Sequence, residues 1–291
     1  MSHTKIFSLT LLAMIAFASN SLLCRAALKH TSIDAASFTS IRIIAGALTL
    51  WLIMRMRAST IGGDNATTRG SWPSAFALFA YAACFSFAYV SLSAATGALL
   101  LFGAVQFTMI SYGFWNGERF SARQWAGLLC AFGGLTGLLL PGLSAPPLWG
   151  SALMLSAGAA WGMYSLRGRK AGDATAVTAG NFLRAVPITI ALSMVVYLIA
   201  PQANSIDASG VAYAIASGAL ASGVGYAIWY TALRGLKATT AATVQLSVPV
   251  IAAVGGIVFL GEAVTMRLLI ASAAILGGIA LVIVGKRASK H

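Results

Sequence analysis

The sequence predicts an all-α polytopic membrane protein of ten transmembrane helices, arranged as two inverted five-helix repeats. Three observations predict it. The 291-residue chain is 59% hydrophobic and 9% charged, with a mean hydropathy of +0.85; that is too little charge for a water-soluble domain of this size. Its apolar runs are about 20 residues long, enough to cross about 30 Å of hydrocarbon as helices, and they lack the alternation of barrel strands. A Gly-Glu step between two apolar runs occurs twice, 144 residues apart: Gly117-Glu118 separates Thr96–Trp115 from Ala122–Leu140, and Gly261-Glu262 separates Ala241–Leu260 from Leu268–Val284. Gly133-Gly134 returns as Gly277-Gly278 at the same offset. Recurrence at a fixed period marks a duplication.

Taken in order, the first span covers 6–24. Lys5, the apolar run and Ala16-Phe17-Ala18 resemble a cleavable signal peptide. The run continues to Leu23, however, and cleavage would leave an odd helix without its repeat partner, so the span is read as retained. The second span, 35–54, opens after a capping Asp34. The third and fourth cover 73–92 and 96–115. The fifth, 122–140, opens with Ser121 and with Gln124 three residues on, a capping-box pattern. The sixth covers 148–166, and the seventh, 175–199, follows Asp173. The eighth, ninth and tenth cover 210–231, 239–260 and 266–284. The longest connection, Arg55 to Ser71, holds Gly62-Gly63-Asp64-Asn65 and reads as a mobile loop. Gly133 with Gly137, and Gly158 with Gly162, have the spacing for close helix contact. Pro187 and Pro249 should kink spans seven and nine.

Orientation follows from the basic residues. Lys5, Arg55, Arg57, Arg69, Arg119, Arg123, Arg167, Arg169, Lys170, Arg234, Lys237, Lys286, Arg287 and Lys290 fall on one side, and only Arg25, Lys29 and Arg267 on the other. Both termini are therefore expected in the cytoplasm, in a bacterial inner membrane. Further correspondences extend the repeat: Arg42 with Arg184 and Arg25 with Arg167 at an offset of 142, and Phe85 with Tyr226 and Tyr89 with Tyr230 at 141. The halves are expected at 1–143 and 144–291. Each holds an odd number of spans, so the two are inverted, and Arg25 falls outside while Arg167 falls inside. Inverted repeats place a substrate site near the midplane between them and work by alternating access.

Ten helices as 5+5, an Arg in the second helix of each half and a Gly-Glu step after the fourth resemble the drug/metabolite transporter superfamily, EamA type. The resemblance covers nearly the whole chain, and within it the pattern is similar to the YddG-like exporters of aromatic and other amino acids. It implies an exporter of neutral or aromatic amino acids and related metabolites. The alternative it leaves open is an exporter of other small metabolites or lipophilic drugs, with or without proton coupling.

Residues that interrupt apolar spans are the site candidates. Tyr81, Phe85 and Tyr89 share one face of span three, and Tyr226 and Tyr230 share one of span eight; equivalent faces on repeat-related helices are expected to line a cavity. Tyrosines near helix ends also serve as lipid-interface anchors, a competing reading for Tyr89 and Tyr230. Asn20, Gln106 and Gln245 bring amides that need partners, a neighbouring helix or a polar substrate. Asn181, one turn from Arg184, reads as its companion. Trp161 and Tyr164, three apart on span six near its cytoplasmic end, are candidates for gating the inner mouth, with membership of the interfacial aromatic belt as the competing reading. Trp51, Trp115 and Trp149 fit an interfacial belt instead.

Arg42 and Arg184 are read as structural, snorkelling to loop carbonyls near their own helix ends; the competing reading is a carboxylate anchor. Glu118 and Glu262 are read as pins for their hairpins, with Arg119, Arg123 and Arg267 as ready partners. No Asp or Glu lies deep in a span, which points to facilitated diffusion. The net charge of +13 sits in short loops and not on a nucleic-acid-binding face. Cys24, Cys84 and Cys130 and His3, His30 and His291 are scattered, so neither a metal site nor a cofactor nor enzymatic chemistry is expected. The expected partners are a small-molecule substrate and membrane lipid, and a monomer fits the sequence.

Overall fold

The computed structural model describes residues 2–61, 70–117, 119–142, 145–168, 173–201, 205–236, 241 and 244–288. Ten helices run through them: α1 (His3–His30), α2 (Ala35–Ile61), α3 (Trp72–Tyr89), α4 (Ala94–Trp115), α5 (Ala122–Leu139), α6 (Leu148–Gly168), α7 (Ala174–Ile199), α8 (Ala208–Leu233), α9 (Ser247–Leu260) and α10 (Met266–Ala288). No strand occurs among the described residues. Seven helices are long and apolar enough by themselves to cross a membrane, and the chain is a polytopic membrane protein. The loop expected at Gly62-Gly63-Asp64-Asn65 and the pin expected at Glu118 lie outside the described residues.

Local chemistry sets the helix starts. The Asp34 carboxylate accepts from Ala36 and Ser37 N–H at 2.9 Å each, capping α2. Ser121 and Gln124 form the reciprocal capping box of α5, and Asp173 accepts from Thr175 and Ala176 N–H at α7. Each cap satisfies orphan amides that hydrocarbon could not solvate. α1 runs on to His30 and α2 to Ile61, beyond the expected apolar spans.

Large apolar side chains also face outward, Phe259, Ile199, Trp149 and Trp115 among them, as in a bundle whose solvent is lipid. Trp51 and Trp115 are exposed like Trp149, as a belt requires. Close approach falls to small residues. On α5 the glycines in contact are Gly127 and Gly134, not Gly133 and Gly137: a Cβ on Gly127 would meet the Gly278 carbonyl of α10 at 2.5 Å, while Gly133 and Gly137 face open space. Gly158 and Gly162 do pack closely, against α4 at Ala104 and Thr108.

Two backbone features depart from plain α-helix. Ser217–Val224, in the middle of α8, is π-helical and packs on α2, with Gly218 against the backbone carbonyl of Arg42. A π segment carries an extra residue per turn and is often found at functional sites. In the ninth span the helix breaks at Leu246, and Pro249 sits in the first turn of α9 rather than mid-helix. The missing N–H and the ring clash of a proline act on the turn before it, which is where the break falls.

Candidate functional site

Helices α1–α4 and α6–α8, with Ala241 and Gln245 ahead of α9, line a cavity of about 470 Å³. α5 and α10 contribute nothing to the lining; they pack mainly against each other. The cavity opens where α2, α6 and α8 end and α7 begins, at Arg57, Arg167, Ala174 and Arg234. Arg167 is steadied there by donating from Nε to Ser74 Oγ at 3.1 Å. No Asp, Glu or His lines the cavity among the described residues.

Trp161 is the centre of the wall. Its ring stacks on Tyr164 and on Tyr226, each at 5.3 Å between centroids, and lies 4.9 Å from Tyr81. Phe17 closes on Tyr226 and Trp229 at 5.7 and 5.8 Å. Such arrangements add roughly 0.5–1.5 kcal/mol per aromatic pair beyond burial. Trp161, Tyr164, Tyr226 and Trp229 all line the cavity, so much of its wall is aromatic.

A polar chain runs through the same wall by way of Tyr164. Asn181 Nδ2 donates to the Tyr164 hydroxyl at 3.3 Å, Tyr164 donates to Thr178 Oγ1 at 3.3 Å, and Thr178 donates to the Tyr230 hydroxyl at 3.1 Å. Every link has its proton committed forward, and among the described residues the chain ends at the Tyr230 hydroxyl. Asn181 is therefore not the companion of Arg184: its carbonyl oxygen accepts from Ser71 N–H at 2.9 Å. Arg184 reaches back one turn to the Gly180 carbonyl at 3.0 Å, a structural role on its own helix.

Deeper in, a recess of about 30 Å³ adjoins the cavity and shares Phe17, Trp161, Tyr226 and Gln245 with it. Asn20, Tyr81 and Phe85 line this recess. Arg42 lies behind its wall, 1% exposed. It corrects the snorkelling reading, because it reaches no loop carbonyl. Its Nη2 donates to the Tyr81 hydroxyl at 2.9 Å, and its guanidinium carbon stands 5.2 Å from the Tyr81 ring centre and 4.8 Å from that of Phe85. A charge inside a span costs roughly 2.5–3.5 kcal/mol on insertion scales. Two aromatic faces return on the order of 2 kcal/mol each when desolvated.

The candidates thus separate. Asn20, Tyr81, Phe85, Gln106, Trp161, Tyr164, Tyr226, Tyr230 and Gln245 surround the cavity and its recess. Tyr89 does not. It ends α3 at the closed end of the bundle, its ring set over Gly97 and its hydroxyl donating to the Ala94 carbonyl at 3.4 Å. Glu262 is also corrected: its partner is Arg25 at 3.0 Å, while Arg267 donates to the Leu140 carbonyl. Phe17, Thr178 and Trp229 were not foreseen. Phe17 is three residues before Asn20 and Trp229 three after Tyr226, so helical spacing from those anchors is the signal that finds them.

Two stretches of the chain, residues 4–140 and 148–284, each match the EamA-like transporter family. An uncharacterized protein of Pseudomonas aeruginosa is 55% identical over 275 residues, covering 94% of this chain and 93% of its own. The threonine/homoserine exporter RhtA of Escherichia coli K12 is 37% identical over 135 residues, 44% of this chain and 43% of its own, so that match spans less than half of either protein. A solved crystal structure superposes with a TM-score of 0.66 at 20% identity, over 96% of this chain and 97% of that one, which is a likeness of fold.

Proposed function

The chain belongs to the EamA-like transporter family, and from that membership we propose that it exports neutral and aromatic amino acids and related metabolites across the bacterial inner membrane. The observation that carries the reading is the aromatic-walled cavity, open at one end, whose lining comes from the first four spans of each half and from neither fifth span. Binding between two halves that rock against each other is the arrangement of alternating access. The halves, 1–143 and 144–291, are inverted in this reading. The correspondence of Arg25 with Arg167 and of Phe85 with Tyr226 supports it. The excess of Lys and Arg at the cavity's open end supports cytoplasmic termini and a cavity facing the cytoplasm. RhtA, which matches over part of its length, is by name an exporter of two small amino acids, and this supports the substrate class.

The test is counterflow in proteoliposomes of the purified protein, with labelled amino acids and no ion gradient. Saturable exchange competed by phenylalanine or threonine is expected. Silence toward amino acids, with movement of another metabolite or a lipophilic cation, would replace the substrate class and keep the carrier.

A further inference from the structure

Arg42 is a buried cation with an incomplete set of partners. Nη2 is held by Tyr81, but Nε and Nη1 have no hydrogen-bond partner, and among the described residues the ion pair formed is Arg25 with Glu262, not one with Arg42. A buried, uncompensated charge is expensive unless something supplies the opposite charge. Among the described residues, no carboxylate on α1, α3, α7 or α8 pairs with it.

Tyr81 connects this charge to the recess. Its hydroxyl oxygen accepts from Arg42 Nη2 at 2.9 Å and from Asn20 Nδ2 at 3.1 Å. The amide of Asn20 is held in that sense because its own carbonyl oxygen accepts from Ser217 Oγ, in the π segment of α8, at 2.5 Å. A phenol oxygen accepting twice has its lone pairs used, so its remaining function is to donate. The donated proton comes from a hydroxyl polarised by a guanidinium in a medium of low dielectric, where charge-assisted hydrogen bonds are strong.

Resting on the amino-acid reading above, we propose that Tyr81 and Arg42 form a carboxylate-binding subsite, in which the Tyr81 hydroxyl contacts the substrate carboxylate and Arg42 supplies the compensating charge behind it. The substrate's side chain then lies in the larger cavity against Trp161 and Tyr226. The recess holds about one water's volume, so only a small terminal group enters it while the rest stays outside. Arg57, Arg167 and Arg234 at the mouth, with no acidic residue in the lining among the described residues, draw an anionic group inward along the same path. Arg42 is a positioning residue and Tyr81 a substrate-binding one.

The test compares phenylalanine with analogues that keep or lose its carboxylate, on the full-length protein in detergent, by thermal shift titration and by competition in counterflow. Phenylalanine and 3-phenylpropionate keep the carboxylate; phenylalaninamide and phenethylamine lack it. Both carboxylates are expected to bind at least tenfold more tightly than the amide or the amine, which is about 1.4 kcal/mol. Tyr81→Phe keeps the ring contacts and should close that gap to less than threefold. Arg42→Lys should retain part of the preference where Arg42→Gln loses it. Amide and acid binding equally to the unmodified protein would overturn the subsite, as would an unchanged gap in Tyr81→Phe or no binding by any of the four. Selective carboxylate binding without counterflow would keep the subsite and remove the carrier reading. Counterflow competed equally by acid and amide would do the reverse.

Discussion

Arg25 and Glu262, 237 positions apart, meet at 3.0 Å on the side of the bundle opposite the cavity mouth. The second carboxylate oxygen accepts from Ala94 N–H at 2.8 Å, in the first turn of α4, where the helix dipole favours a negative charge. Arg25 Nη1 goes on to the Tyr89 and Val90 carbonyls at 2.9 and 3.1 Å. One ion pair thereby ties α1 to the end of α3, the start of α4 and the α9–α10 corner. Both side chains are nearly dry, at 13% and 7% exposure. Removing one partner of such a pair costs on the order of 3–5 kcal/mol.

That cost predicts which way the bundle gives. Glu262→Ala should loosen the closed end while leaving the cavity intact. A single cysteine at Ser93, in a cysteine-free background, should react severalfold faster with a membrane-impermeant maleimide when Glu262→Ala is added. Unchanged labelling would mean that the apolar packing around Leu92, and not the ion pair, keeps this end shut.

The cavity wall predicts a split among aromatic truncations. Trp161→Ala removes the ring on which Tyr81, Tyr164 and Tyr226 all lean, and Tyr226→Ala removes a second face. Each should raise the KM for counterflow more than fivefold, and Gln106→Ala and Gln245→Ala should follow in the same direction. Trp51→Ala and Trp149→Ala, on the exposed surface, should change it less than twofold. Equal effects in the two groups would remove the cavity from the transport path.

Glycine contacts predict a split in stability. Gly134→Leu drives a side chain into Ala274 and Ile275 of α10, with a Cβ already at 2.7 Å from Ala274, whereas Gly137→Leu points into open space on the same helix. Overpacking costs on the order of 1–3 kcal/mol. The midpoint of thermal unfolding in detergent should therefore fall by several degrees for the first and stay near that of the parent for the second.

The same glycines explain how much of the fold was legible beforehand. The caps at Asp34, Ser121 and Asp173 depend on residues within a few positions of each other, and the structure has them as the sequence implied, while span ends moved where α1 and α2 run on and where the ninth span breaks at Leu246. Which face of a span is buried is different. These helices are apolar all round, because lipid and core are alike to a leucine, so no periodicity marks the inner side. Hence the spacing of Gly133 and Gly137 points to a contact that Gly127 and Gly134 make instead. Partners across the bundle were equally hidden: nothing near Glu262 names Arg25, since Arg267 stands closer in the chain. The depth of Arg42 depends on the π segment of α8 lying against it, which composition does not announce. Polar residues within apolar runs were the legible part of the site, and only Tyr89 among the aromatic and amide candidates fell away from the cavity.

The composition of the cavity finally predicts how transport responds to protons. Its polar lining consists of arginines, phenols, amides and hydroxyls, and it holds no Asp, Glu or His among the described residues. Carriers driven by protons commonly place a carboxylate or imidazole where it can change charge during the cycle. A neutral amino acid likewise stays zwitterionic between about pH 5.5 and pH 8. Neither ligand nor lining then gains or loses charge across that window, so counterflow should vary less than twofold over it. An imposed proton gradient should leave the steady-state distribution of substrate unchanged. Accumulation against a concentration gradient on acidifying the outside of proteoliposomes would show that a titrating group beyond this lining takes part, and facilitated diffusion would be replaced by exchange for protons.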